Sequence, residues 1–207
     1  MTERLYGGKL ADERRAQRRA QLVAAGFELL GNTGSSTTVR AVCAEAGLTS
    51  RYFYESFANL DELLVAVFDE VMARTIERAT AAIGATDGSL EDTVAALAAA
   101  FVAITLDDPK AMRIGFVEAW GSETLMRRRV QTLHSCARLV ASLVAAQLQL
   151  PDARRAGLDV TAFVIMGGLL ESVLGWLDGS LAVDRDTLIR EYTAAAVAAL
   201  RQATTGP

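Results

Sequence analysis

Thr38-Val39-Arg40-Ala41-Val42-Cys43-Ala44-Glu45-Ala46-Gly47-Leu48-Thr49-Ser50-Arg51-Tyr52-Phe53-Tyr54-Glu55-Ser56-Phe57 is the stretch that decides the fold of this chain. Thr37 and Thr38 suit the cap of a short helix, Val39 to Ala46, and Gly47 suits its end. Leu48 follows as a buried link, and Thr49 or Ser50 can cap a second short helix running to about Ser56. Two short helices joined by a tight glycine turn have helix-turn-helix spacing. Units of this kind lay the second helix in the major groove of DNA while the first crosses the backbone. Thr49, Ser50, Arg51 and Tyr52 fall on the exposed first turn of that second helix. Hydroxyls and N-terminal amide groups suit phosphate oxygens, and Arg51 can pair bidentately with a guanine edge. Phe53 and Phe57 read as apolar anchors, and Tyr54 as a packed ring with its hydroxyl outward.

The rest of the chain reads as helix on both sides of this unit. Residues 1–10, with Gly7-Gly8 and no period, read as a flexible arm. From about Asp12 to Leu30 the pattern is helical, with Val23, Phe27 and Leu30 on one stripe. Gly31 to Ser36 is a breaker cluster. Asn59 and Glu62 have capping-box spacing and open a long helix to about Ile83. Ser89 with Asp92 caps a helix from Leu90 to Leu106. Asp108-Pro109 starts another, ending near Trp120-Gly121. Ser122 or Glu123 opens a helix to about Leu150, which Pro151 stops. The chain is helical again from about Ala153 to Asp178, and Asp184 or Asp186 caps a last helix to about Ala203. The expectation is an all-α chain of about nine helices, with a head at residues 1–57 and a helical body at residues 58–207.

The segment from Val23 to Leu64 resembles the TetR (tetracycline repressor-like) family of bacterial regulators. The resemblance rests on Ala24-Ala25 with its apolar stripe, Gly34, Thr37-Thr38-Val39, Ala46-Gly47-Leu48, Tyr54 and Phe57, and Asp61-Glu62-Leu63-Leu64 opening the fourth helix. It implies a DNA-binding regulator, most commonly a repressor, with a C-terminal domain that binds a small-molecule effector and dimerises. It implies that Thr38 and Arg40 meet phosphates or the groove edge, that Thr49, Ser50, Arg51 and Tyr52 face bases, and that Tyr54 meets a phosphate. Two positions depart from the family pattern. Leu60 stands where members often carry a phosphate-binding lysine, and the loop before Thr37 lacks the usual aromatic residue. Lys9, Arg14 or Arg18 would then supply the missing phosphate contact.

The composition agrees with this division. The 207 residues carry a formal net charge of −4, which for the whole chain argues against nucleic acid. Residues 1–57 hold eight cations and six acids, a balance of +2, and the remainder carries −6. Such asymmetry can mark a nucleic-acid-facing end. With 51% hydrophobic residues and three prolines, the chain is too apolar for disorder and favours helix. Cys43 and Cys136 read as small buried hydrophobes, and a reducing cytoplasm is the expected compartment. The start of the sequence has no apolar run of a secretory signal. One histidine without a Cys/His cluster gives no zinc site, and no P-loop, glycine fingerprint or Ser/His/Asp set stands out. No catalytic group, metal or cofactor is expected.

Val160 to Leu177 is apolar nearly all round, which demands burial on every side. It could span a membrane, lie at the centre of a monomer, or pack one face on its own domain and the other on a second subunit. Glu171 in mid-segment and the lack of a flanking basic cluster argue against the membrane. The two-fold dimer is the natural closed solution, using Gly168, Leu169, Ser172 and Trp176 with Tyr192, Ala195 and Ala199 of the last helix. For an effector pocket the candidate walls are Phe101, Met112, Phe116, Trp120, Phe163 and Met166, with Thr105, His134 and Glu171 as polar contacts. A buried Glu171 would need a partner, either an internal donor or a cationic or hydroxyl-bearing ligand. The competing reading is a helical adaptor or scaffold that keeps the motif without specific DNA binding, favoured by Leu60.

Overall fold

Local capping chemistry sets most helix boundaries. In the computed structural model, residues 3–32, 37–86, 88–118, 122–147 and 149–205 are described. Among them there are nine α-helices and no strand: α1 Glu3–Gly31, α2 Val39–Ala46, α3 Ser50–Ser56, α4 Leu60–Gly84, α5 Leu90–Asp107, α6 Pro109–Met112, α7 Glu123–Gln147, α8 Arg155–Leu177 and α9 Arg185–Thr205. The backbone N–H of Glu62 donates to Asn59 Oδ1 at 2.9 Å, and Glu62 Oε2 accepts from the N–H of Ala58 at 2.7 Å. Ser89, Asp108, Ser122 and Asp184 accept in the same way from the first turns of α5, α6, α7 and α9. These side chains satisfy amide groups that have no partner within the helix.

Two elements differ from the sequence reading. The expected arm at residues 1–10 is helical from Glu3 onward, because α1 runs through Gly7-Gly8. The helix expected to reach Trp120 is regular only over Pro109–Met112 and continues as a π-helical turn over Arg113–Val117. Trp120 lies outside the described residues.

Contacts divide the chain into two compact units, one of residues 1–73 and 108–128, the other of residues 74–107 and 129–207. The division falls inside α4 and α7, beyond the boundary expected after Phe57. The reason lies in the first unit's core. Leu22 and Leu30 of α1, Val42 of α2 and Phe53 and Phe57 of α3 pack with Leu63, Val67 and Phe68 of α4, and Ile114 and Leu125 join them. Residues near 114 and 125 therefore complete the core beneath the helix-turn-helix. Gly26 lets α1 close on α4, since a Cβ there would stand 2.8 Å from Val67 Cγ2. Arg128 donates twice to the Asp69 carboxylate, at 2.6 and 2.9 Å, tying α7 to α4.

The second unit has two adjoining apolar clusters. One joins Ala137, Ala141, Leu158, Ala162, Ala196 and Leu200, and the other joins Val102, Leu169, Val173 and Leu188. Alanine supplies five of the eleven described buried residues of the first cluster, on α7, α8 and α9. By length and composition α8 could cross a membrane. Here Leu158, Ala162, Ile165, Leu169, Leu170 and Val173 are buried in the unit.

Candidate nucleic-acid interface

Thr38 and Gly47 fix the first helix of the motif. Thr38 Oγ1 accepts from the N–H of Ala41 at 3.1 Å. Gly47 adopts φ +65°, and its N–H donates to Ala44 O while that of Leu48 donates to Cys43 O. This paired closure needs a left-handed residue, which glycine takes without a Cβ clash. Leu48 then turns the chain into α3, capped by Thr49, whose side chain makes no capping hydrogen bond.

The seven-residue α3 has two faces. Phe53 is fully buried and Phe57 nearly so, their ring centroids 5.8 Å apart. The opposite face is open: Thr49, Ser50 and Arg51 are exposed, and Tyr54 stands 61% exposed with its ring edge-on to Phe53. Thr38 and Arg40, at the start of α2, are also exposed.

Arginines of α1 hold α3 from the side. Arg15 donates through Nε (3.2 Å) and Nη2 (2.6 Å) to the carbonyl oxygen of Glu55, an acceptor that the last turn of α3 leaves open. Arg18 Nη2 lies 3.5 Å from Glu55 Oε2, and its guanidinium lies 4.6 Å from the centre of the Tyr52 ring. Arg19 takes the same position over Phe57 at 4.9 Å. Cation–π contacts of this kind add to the hold of α1 on α3. The sequence reading missed Arg15, Arg19 and Glu55. Their spacing relative to α3 becomes meaningful only once α1 lies across it. Arg18, considered as a replacement phosphate contact, is instead engaged with Glu55 and Tyr52, while Arg14 is exposed. Lys9 lies on α1, its side chain outside the described set. Leu60, at the position of the missing lysine, packs against the core.

In the second unit the expected interface residues separate. Gly168, Ser172, Tyr192, Ala195 and Ala199 line one open groove between α8 and α9, about 420 Å³ in volume. Val160 and Val164 on α8 are each 65% exposed, so this helix is not buried on every side within its own subunit. Leu169 and Trp176 turn away from this role. Leu169 is buried in its own core, and Trp176 packs there with its indole N–H donating to Val183 O at 2.9 Å. The Tyr192 hydroxyl donates to Ile165 O at 3.0 Å, and burial pushes its pKa above the ordinary phenol value.

The expected pocket set also divides. His134 and Phe163 meet, ring centroids 4.9 Å apart, and Met166 packs half-buried in the same cluster of α7–α9. Phe101 packs against the neighbouring cluster, and the Thr105 hydroxyl, buried, donates to Phe101 O at 2.8 Å. Met112 and Phe116 fall in the first unit. Glu171 is exposed, so no buried carboxylate waits for a ligand there. Among the described residues, no cluster of His, Cys, Asp and Glu is placed to hold a metal ion.

Among the described residues the chain is all-helical, with a helix-turn-helix near its N-terminus. No family model and no curated protein matches the chain by sequence. Solved structures do match it over nearly its whole length. A transcriptional regulator from Rhodococcus sp. Rha1 superposes with TM-score 0.67 at 17% identity, covering 91% of this chain and 99% of that one. A TetR family transcription regulator from Marinobacter aquaeolei VT8 gives TM-score 0.59 at 19% identity, covering 91% and 97%. The fatty acid degradation regulator FadR from Bacillus halodurans gives 0.61 at 18%, covering 91% and 95%. The chain has the fold of the TetR-family transcription regulators.

Proposed function

We propose that the chain is a ligand-responsive DNA-binding transcriptional regulator. In this reading it is a cytoplasmic, non-enzymatic repressor that binds a pseudo-palindromic operator as a homodimer and is released by a small apolar effector. The observation that carries the reading is the two-faced α3. Its apolar side is locked by Phe53 and Phe57, and its first turn presents Thr49, Ser50 and Arg51 to solvent. Residues 1–57 are the DNA-binding head: Arg51 reads a base, Thr49, Ser50 and Tyr52 border it, and Thr38, Arg40, Tyr54 and Lys9 meet phosphates. Phosphate contacts position such a head and base contacts give it specificity.

Residues 58–207 serve for effector binding and dimerisation. The α8–α9 groove, with Val160 and Val164 beside it, is an apolar face that a two-fold copy of itself would cover. The effector site is built around His134, Phe163 and Met166, with Phe101 and Thr105 nearby in the same unit. An effector acts only through its different affinity for the DNA-competent and released states, and about 1.4 kcal/mol of coupling gives tenfold release.

Two heads joined by a two-fold axis need half-sites about one DNA turn apart, roughly 34–36 Å. Gel shifts on a selected operator test this. Inserting five base pairs between half-sites turns one of them to the far side of the duplex and should abolish high-affinity binding. Unchanged affinity refutes the dimeric reading, and binding that is indifferent to sequence favours the adaptor instead.

A further inference from the structure

We propose that Glu55 is a specificity-determining positioning residue, which grips the Arg51 guanidinium by its Nε edge and leaves the two terminal nitrogens to read one guanine. The inference rests on the reading of α3 as the DNA-contacting helix and deepens it.

Arg51 Nε donates to Glu55 Oε1 at 3.1 Å, one helical turn away. A guanidinium has two edges able to make paired hydrogen bonds. With Nε occupied, the end formed by Nη1 and Nη2 remains, and that end suits the O6 and N7 acceptors of guanine. The Arg51 side chain is 84% exposed, so nothing in the core blocks that end.

An exposed pair four residues apart ordinarily does little, because both side chains move and water screens them. Here one partner is held. Glu55 Oε2 lies 3.5 Å from Arg18 Nη2, and Arg15 takes the backbone carbonyl of the same residue. Glu55 is thus fixed to α1 at its carbonyl and one carboxylate oxygen, with the other oxygen turned to Arg51. Exclusion of water in a DNA groove strengthens such a pair further. A carboxylate on this face also repels phosphates, so its presence lowers affinity for DNA in general. Orientation of Arg51 gives it a use that offsets this repulsion.

That opposition separates positioning from mere packing. A selection from a random-sequence duplex pool is made with the full-length chain and with Glu55→Gln, and selected and random duplexes are then titrated by fluorescence anisotropy. Glu55→Gln keeps the backbone carbonyl for Arg15 and removes the charge. Its guanine preference at one operator position should fall about five- to tenfold, within the range of a single bidentate contact. Its binding to random duplex should tighten. Arg51→Ala should lose preference at the same position. Arg18→Met, which frees one carboxylate oxygen of Glu55 while Arg15 keeps the carbonyl and the Glu55–Arg51 pair stays, should lose part of it, less than Glu55→Gln. Circular dichroism confirms that each variant is helical. Guanine preference within twofold of wild type in Glu55→Gln overturns the proposal. So does a parallel loss on selected and random DNA, or an Arg18→Met variant as degenerate as Glu55→Gln. A wild-type chain that selects no sequence refutes the regulator reading itself, and this inference with it.

Discussion

Replacing Val164 by alanine should weaken the proposed dimer about thirtyfold and leave the subunit folded. The substitution removes two methyl groups, worth about 1.6 kcal/mol if fully buried from water. Val164 is 65% exposed in the subunit, so a partner has roughly 1 kcal/mol of that burial left to supply. In a two-fold interface every change occurs twice, which gives about 2 kcal/mol, or roughly thirtyfold in Kd. Alanine is the better helix former, so α8 should lose nothing in its own subunit. Sedimentation equilibrium across a concentration series reads the dimer constant, and thermal melting at low concentration reads the subunit. Two results refute the reasoning: a Kd within threefold of wild type, or a wild-type chain that is monomeric at micromolar concentration. Either would mean that the α8–α9 groove faces something other than its own copy.

Phe53→Ala should cost about 3–5 kcal/mol, because it empties a fully buried position beneath α3; urea unfolding followed by circular dichroism measures it, and a cost below about 1 kcal/mol would show that α3 is not seated through that ring. Burial raises the Cys43 thiol above its ordinary pKa, against a smaller lowering by a hydrogen bond with Ser50. Its neutral form is thus favoured in the fold. The stability it contributes is complete below the ordinary thiol range and is lost as pH rises through the raised value. Native Cys43 should resist alkylation at mildly alkaline pH, and Cys43→Ala should flatten the fall of stability at higher pH; rapid alkylation of the native protein would contradict the burial.

Chemistry confined to neighbouring residues was legible in the sequence. Thr38, Gly47, Asn59, Ser89, Asp108 and Asp184 each act within three or four residues of themselves, and the helices they bound begin or end where their side chains predict. What involved a second element was not. Arg18 read as a phosphate contact and Arg15 carried no reading, because their hold on Glu55 exists only once α1 lies across α3. Leu169 and Trp176 share an apolar helix with Gly168 and Ser172, yet they face the interior of their own unit. Periodicity cannot choose between two apolar faces, because hydropathy is the same on both. Glu171 misled for a related reason: its apolar neighbours in sequence suggested burial, but they line other sides of α8. The π-helical turn at Arg113–Val117 left no mark in composition at all.

A helix of seven residues is far too short to persist alone in water. The shape of α3 is therefore borrowed from Phe53 and Phe57 on its apolar side and from Arg15 and Arg18, which hold the Glu55 carbonyl, its carboxylate and the Tyr52 ring. Support and display occupy different residues of the same short segment. Thr49 and Arg51 can be exchanged without touching Phe53 or Phe57, which seat the helix. A α2–α3 peptide cut free of α1 should neither fold nor recognise anything. Because Leu63, Val67, Phe68, Ile114 and Leu125 complete the core beneath α3, the smallest portable unit of the proposed recognition is the whole first unit, residues 1–73 and 108–128, within which a new target sequence could be acquired through a handful of surface substitutions.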